Sequence, residues 1–394
     1  MTFYRGYKIK RSEFLLIYFD NAATTFPKPK IVAESFKEAL KKYAGNPGRS
    51  GHNMAMQTSM MVYKTREAVA EFFNAHNVED VVFTLNCTMA TNVAIKGVVS
   101  QGDHVVISSY EHNAVLRPVY KLKTAGVISF DVAQVYENDD ARTIDSFRKA
   151  IRRNTKLVIS IHGSNVFGNI LPIKDISKLA HQNGAMFMLD AAQSAGVVKI
   201  DVQDMGIDLL CAPGHKSLYG HSGTGILITN HGEKLNTLIE GGTGSLSQEY
   251  SQPNFMPDKF ESGTVNTMGI WSLYNGIKFI NQRGIENIYK HEIKIAQYIY
   301  SNLAKNNKVY LYTQFPQVGT HLPVLSFNIK NYSCDDVIKI LNNKGFALRG
   351  GLHCSPLAHK SKGSLDVGTV RISVGAFNNI LQARKLCEAI NLIK

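Results

Sequence analysis

A mostly parallel α/β sheet domain followed by a smaller α+β domain is the architecture this sequence predicts, on three observations. From about residue 80 to 230, short β-branched runs alternate with helical patterns, the signature of parallel strands covered by helices on both faces. After residue 265 the alternation stops, and a long helical stretch leads into strands accompanied by amphipathic helices. The chain has 394 residues, 44% hydrophobic and 19% charged, which suits two units of ordinary size and excludes wholesale disorder. The expected division is an extension at 1–17, a large domain at 18–270 and a smaller C-terminal domain at 271–394.

Taken in order, the strand candidates of the large unit are 81–83, 104–107, 157–161, 185–189, 207–210 and 225–228. Helical patterns at 89–99 and 173–182 separate them. Beyond the boundary, helical segments at 269–281 and 284–303 precede strands at 324–328 and 370–373, with helices at 334–342 and 379–392. In sheets of the first kind, ligands bind past the carboxyl ends of the strands, so functional residues are expected immediately after them.

Charge and cysteine usage narrow the function classes. The formal charge is +13, which invites a nucleic-acid reading. The basic residues are scattered, however, in clusters no longer than pairs such as Lys41-Lys42 and Arg152-Arg153. Anionic small ligands and an acidic protein partner fit better than nucleic acid. No run of about 18 uncharged apolar residues exists, so no transmembrane helix is expected. Residues 1–17 are basic, and their apolar part (FLLI) is too short for a signal-peptide core. Five unpatterned cysteines support neither a zinc ribbon nor a disulfide framework, and no metal site is expected. A reducing cytoplasm is the simplest location.

The chemistry starts at Asp190, directly after an apolar strand, where an ionised carboxylate is costly unless a cation meets it. His215 and Lys216 follow the next strand among Gly214, Gly220, Gly223 and Gly225. If the two strands are neighbours, a carboxylate and an amine face one crevice. Pyridoxal phosphate asks for this pair: a lysine for the Schiff base and an aspartate that keeps the pyridine nitrogen protonated. Either residue alone reads more readily as half of an ordinary structural ion pair. His112, after another strand, could lie flat on a cofactor ring. At Asn86-Cys87-Thr88-Met89 a strand turns into a helix whose free N–H groups, with the Thr88 hydroxyl, would make a phosphate site. Asn165 and Gln193, at strand ends, could bond ring substituents.

These residues carry a resemblance. The segments Tyr18-Phe19-Asp20-Asn21-Ala22-Ala23-Thr24-Thr25, Glu111-His112-Asn113, Ser164-Asn165-Val166, Asp190-Ala191-Ala192-Gln193-Ser194 and Gly214-His215-Lys216 resemble the class V aminotransferase family, and within it the cysteine desulfurases and selenocysteine lyases. The resemblance implies the pyridoxal-phosphate fold type I, aspartate-aminotransferase-like, and a homodimer with active sites at the subunit interface. It assigns Lys216 as the cofactor lysine, Asp190 as the ring-nitrogen partner and His112 as the stacking residue. Asn165 and Gln193 would contact ring substituents. Cys87, Thr88, Met89 and His215 would surround the phosphate, joined by Thr264 from the neighbouring subunit. Arg371 would clamp the substrate carboxylate with its two-pronged guanidinium. His52, in the 48–52 loop, and Arg349 would lie near the substrate. Cys87 and Pro213 stand where many relatives carry hydroxyl residues, which is expected to weaken cofactor retention.

Cys354 separates the reactions within that family. It lies in Leu348-Arg349-Gly350-Gly351-Leu352-His353-Cys354-Ser355-Pro356, where it aligns with the desulfurase nucleophile in a short structured loop of the group II type. Arg349 and His353 are expected to favour the thiolate, the reactive form. The implied reaction converts L-cysteine to L-alanine and leaves a persulfide on Cys354 for a sulfur-acceptor protein, for example in iron–sulfur cluster biogenesis. Selenocysteine cleavage, or another class V lyase or aminotransferase activity, is the alternative.

Overall fold

Apolar runs of four to seven residues form the central strands, as expected where both sheet faces are covered. The computed structural model describes residues 16–48 and 51–393; most of the expected extension, and Arg49 and Ser50 of the 48–52 loop, lie outside them. After β1 (Ile17–Tyr18), the strands in chain order are β2 (Val81–Thr84), β3 (Asp103–Ser108), β4 (Ile128–Ala133), β5 (Thr155–Ile161), β6 (Met186–Asp190), β7 (Leu209–Pro213) and β8 (Gly225–Ile228). Strands β2 to β8 form one sheet in the order β2-β8-β7-β6-β5-β3-β4. Only β8 runs antiparallel to its neighbours; the other pairs are parallel. Alternate residues feed two separate cores: Val105 and Ile107 pack into one, Val106 into the other.

Two strands of this large sheet differ notably from expectation. β4, at the sheet edge, is not among the expected strands, because Ser129 and Asp131 alternate with partly exposed Phe130 and Val132 and leave no apolar run. β7 extends to Pro213 rather than ending at 210; Pro213 sits opposite Gly225 at the end of the ladder, where a missing N–H does little harm.

Past residue 265, helices Thr267–Arg283 and Ile285–Leu303 are separated by Gly284 at φ 80°. They lead to β9 (Val309–Leu311), β10 (Val324–Ile329), β11 (Phe346–Ala347), β12 (Arg349–Gly351) and β13 (Thr369–Ser373). The sheet β12-β13-β10-β9 is antiparallel and has its own apolar core with helices Ile285–Leu303, Cys334–Asn343 and Ile380–Asn391. The N-terminal segment docks here: β1 pairs with β11 and Asp20 bridges to Ser373. That docking brings residue 20 to residue 371.

Candidate active site

The carboxyl ends of β2, β3, β5, β6 and β7 open on one side of the central sheet, and most of the expected residues collect there. Asp190 is the last residue of β6 and is buried. Its Oδ1 accepts the Ala192 N–H at 2.9 Å, while its Oδ2 is buried without a hydrogen-bond partner. Burial raises its carboxyl above the ordinary range. Lys216 follows the adjacent strand β7, as the pairing of β6 with β7 requires. Burial lowers its ammonium, opposed by the nearby Cys87 and Asp190, and Arg371 and Arg349 lower it further.

Cys87 departs from expectation. Its Sγ lies 3.8 Å from Asp190 Oδ1, so the thiol faces the carboxylate rather than a phosphate at the helix end. Burial pushes the thiol well above its usual value, which keeps the S–H as a donor to Asp190. Helix Cys87–Val98 is capped by the Asn86 side chain, which accepts the Met89 N–H at 2.9 Å. Met89 therefore has no free amide for an anion, and the open N–H groups of this helix end are those of Cys87 and Thr88.

His112 caps helix Asn113–Thr124 after β3. Its Nδ1 accepts the Ala114 N–H at 3.0 Å, so a neutral ring carries its proton on Nε2. Burial, then the charges of Lys216, Arg349, Arg371 and Arg117, hold this histidine down at about 4. Glu111, quoted in the Glu111-His112-Asn113 motif but given no role there, is fully buried; its Oε1 accepts from Ser108 Oγ at 2.5 Å and Ile161 N at 2.6 Å. Burial and the neighbouring Asp190 push Glu111 up to about 8.

A second set comes from the other sheet. Arg371, on β13, is 1% exposed. Its Nη2 donates to Asp20 Oδ1 at 2.8 Å and its Nη1 to the Asn165 carbonyl at 2.9 Å, while Nε is buried without a partner. Cys354 is the exposed one of five free cysteines, with Arg349 Nη2 3.8 Å from Sγ. His353 differs from expectation: its Nε2 lies 3.1 Å from the Thr369 carbonyl, and burial presses the ring to about 2. A ring that stays neutral adds no charge to favour a thiolate, so the cation beside Cys354 is Arg349.

The remaining candidates are spread. Gln193 Nε2 donates to the Ala22 carbonyl at 3.0 Å. His215 Nδ1 lies 3.1 Å from Thr24 Oγ1, and burial lowers its ring to about 4. Lys28, missed in the sequence, donates to the His215 carbonyl at 2.5 Å and to Thr25 Oγ1 at 2.7 Å. Asn165 is occupied within the protein, its side chain holding the Cys354 loop. His52 is exposed and caps helix Asn53–Phe73 through Nδ1. Thr264 lies 3.5 Å from Asn46 Nδ2 and lines a separate cavity with Leu85 and Met89.

An amine following one strand and a carboxylate ending its parallel neighbour, an imidazole that caps a helix, a buried guanidinium and an exposed thiol are thus brought to one end of the fold. The chain belongs to the class-V aminotransferase family, whose model matches residues 17–386. Within that family it is similar to proteins named as cysteine desulfurases. A probable cysteine desulfurase of Methanothermobacter thermautotrophicus is 33% identical over 100% of this chain and 99% of the relative. One from Halalkalibacterium halodurans is 32% identical over 92% and 89%. Among solved structures, the apo cysteine desulfurase of Thermococcus onnurineus NA1 superimposes with a TM-score of 0.88 at 30% identity, covering 95% of this chain and 94% of that one. The cysteine desulfurase CsdA of Escherichia coli gives 0.84 at 26% identity, with the same coverage.

Proposed function

We propose that this chain is a pyridoxal-phosphate-dependent cysteine desulfurase that moves the sulfur of L-cysteine onto Cys354 and releases L-alanine. The observation that carries the reading is the exposed Cys354 thiol with Arg349 3.8 Å away, because the same guanidinium acts electrostatically on His112 and Lys216.

The residues present fit the cofactor. The unpartnered, buried Oδ2 of Asp190 needs a proton donor such as a protonated ring nitrogen, and an unmet buried acceptor is otherwise costly. Lys216 would bind the cofactor covalently. The free N–H groups of Cys87 and Thr88 suit a phosphate; His215 would join them there, and a dianion near it would raise its ring from its low value. His112 would lie on the ring and Gln193 at one of its substituents, while the Asn165 amide is taken up by the Cys354 loop. Thr264 would complete the phosphate site in a homodimer. When bound, the cofactor supplies an electron sink for bonds breaking at the substrate carbons.

The protein groups do the rest. Arg371 would take the substrate carboxylate; its unpartnered Nε and second Nη hydrogens remain available while Asp20 and Asn165 hold it in place. Burial favours the neutral amine of Lys216, which can then accept the Cα proton. The neutral His112 ring keeps its hydrogen on Nε2, where it can donate a hydrogen bond to the substrate sulfur. The Cys354 thiolate attacks that sulfur: the new S–S bond forms as the C–S bond breaks, and its electron pair stays with carbon, which is protonated on the way to alanine. A thiol of an acceptor protein then removes the persulfide sulfur. No helix among the described residues is long and apolar enough to cross a membrane.

Purified protein given L-cysteine should release alanine, with sulfide appearing once reductant is added. Cys354→Ser should keep the yellow colour of the bound cofactor, form no protein persulfide and lose alanine production. Full desulfuration by that variant would move the chain to a lyase of the selenocysteine type.

A further inference from the structure

The desulfurase reading leaves open how a short loop holds a nucleophile in register with a substrate gripped from another part of the fold. His353 and Cys354 both have left-handed backbones, at φ 49° and 59°, a region L residues seldom adopt and keep only where surroundings impose it. The turn closes on itself, the Ser355 N–H donating to the Leu352 carbonyl at 2.9 Å, and three further hydrogen bonds hold it from outside. The Cys354 carbonyl accepts the Asn113 N–H at 2.7 Å, just after His112. The Asn165 amide spans the cysteine: its Nδ2 donates to the His353 carbonyl at 2.8 Å, and its Oδ1 accepts from Ser355 Oγ at 2.7 Å. Ser355 and Asn165 are both buried, so neither contact is readily exchanged for water. The Asn165 main-chain carbonyl in turn accepts from Arg371 Nη1 at 2.9 Å.

We propose that Ser355, acting through Asn165, is a positioning residue that sets the Cys354 thiol at a defined distance from the Arg371 carboxylate clamp. The inference rests on the desulfurase reading. It adds that one asparagine refers both the substrate carboxylate site and the attacking sulfur to a single point. Ser355 touches neither substrate nor cofactor; its hydroxyl keeps the Asn165 amide turned so that both its ends hold the loop.

The test compares wild type, Ser355→Ala and Ser355→Thr, all loaded with pyridoxal phosphate. In Ser355→Ala the cofactor absorbance, the Michaelis constant for L-cysteine and the melting midpoint should stay near wild type. The single-turnover rate of persulfide formation on Cys354 should fall about 5- to 10-fold, the scale of one lost neutral hydrogen bond. Amide exchange should speed up about as much in a peptide covering 352–355, and not in the central strands. Ser355→Thr, which retains a hydroxyl, should recover both. Equal persulfide rates and equal exchange in wild type and Ser355→Ala would overturn the proposal. So would a Ser355→Ala protein that loses cofactor or melts markedly lower, because that is a general structural fault. If loaded wild type makes no persulfide on Cys354 at all, the desulfurase reading falls and this proposal with it; normal persulfide formation by both proteins sinks the positioning role alone.

Discussion

Arg371 shows how much one side chain is asked to do. It is 1% exposed and already binds Asp20 and the Asn165 carbonyl, with Nε left over. Only a planar guanidinium offers enough fixed donors for two protein partners and a ligand. Arg371→Ala should raise the Michaelis constant for L-cysteine about 10- to 150-fold, the equivalent of about 1.5–3 kcal/mol for hydrogen bonds to a charged group. Arg371→Lys should not restore it. Wild-type kinetics in either variant would place the carboxylate elsewhere. Lys216→Ala, the removal of the proposed covalent anchor, should abolish the absorbance of the lysine-bound cofactor while the fold persists. A variant spectrum identical to that of wild type would remove Lys216 from that role.

At the scale of elements, the turn carrying Lys216 is pressed from two sides by glycines. A Cβ on Gly276, in helix Thr267–Arg283, would stand 2.0 Å from the Leu218 carbonyl oxygen; one on Gly196, at φ 84°, would stand 2.2 Å from that of Ser217. Both obstacles are backbone, so neither can swing aside. Gly276→Ala should therefore cost about 1–3 kcal/mol of stability, the usual range for overpacking. It should also weaken cofactor retention, because the displaced segment begins two residues after Lys216. Thermal melting and titration with pyridoxal phosphate check both, and an unshifted melting midpoint would show that the helix can retreat. Much of this element plan was legible in the sequence. Apolar runs declared β3, β5 and β6, and helix Ile173–Gln182 has its expected bounds. β4 escaped because an edge strand with exposed polar positions has no apolar run to declare it.

For the molecule as a whole, two buried acids at the end of one sheet make stability depend on pH. Glu111 is raised from an ordinary 4.5 to about 8, by burial first and by Asp190 second. The folded chain therefore keeps a proton between about pH 4.5 and 8 that the unfolded chain has lost. Stability should fall as pH rises through that window and change no further on this account above it. Glu111→Gln, which keeps the acceptor for Ile161 and Ser108, removes the ionisation. Its melting midpoint relative to wild type should rise between pH 5 and pH 8.5. Parallel melting curves across that range would mean that Glu111 ionises in the fold as it does in water.

The sequence by itself determined the family-wide parts of this protein: strands read from apolar runs, and a carboxylate, an imidazole and an amine placed just after them. Those are local facts, since a polar residue ending a buried strand must face either a crevice or an unmet desolvation cost. Tertiary structure alone decided which of them meet. Asp20 reaches Arg371 across 351 positions, and Asn165 reaches Ser355 across 190. Cys87 turns to Asp190 instead of the helix end, and His353 is buried neutral, leaving Arg349 beside Cys354. Side-chain direction and burial depend on what packs from distant segments, and no spacing along the chain encodes them.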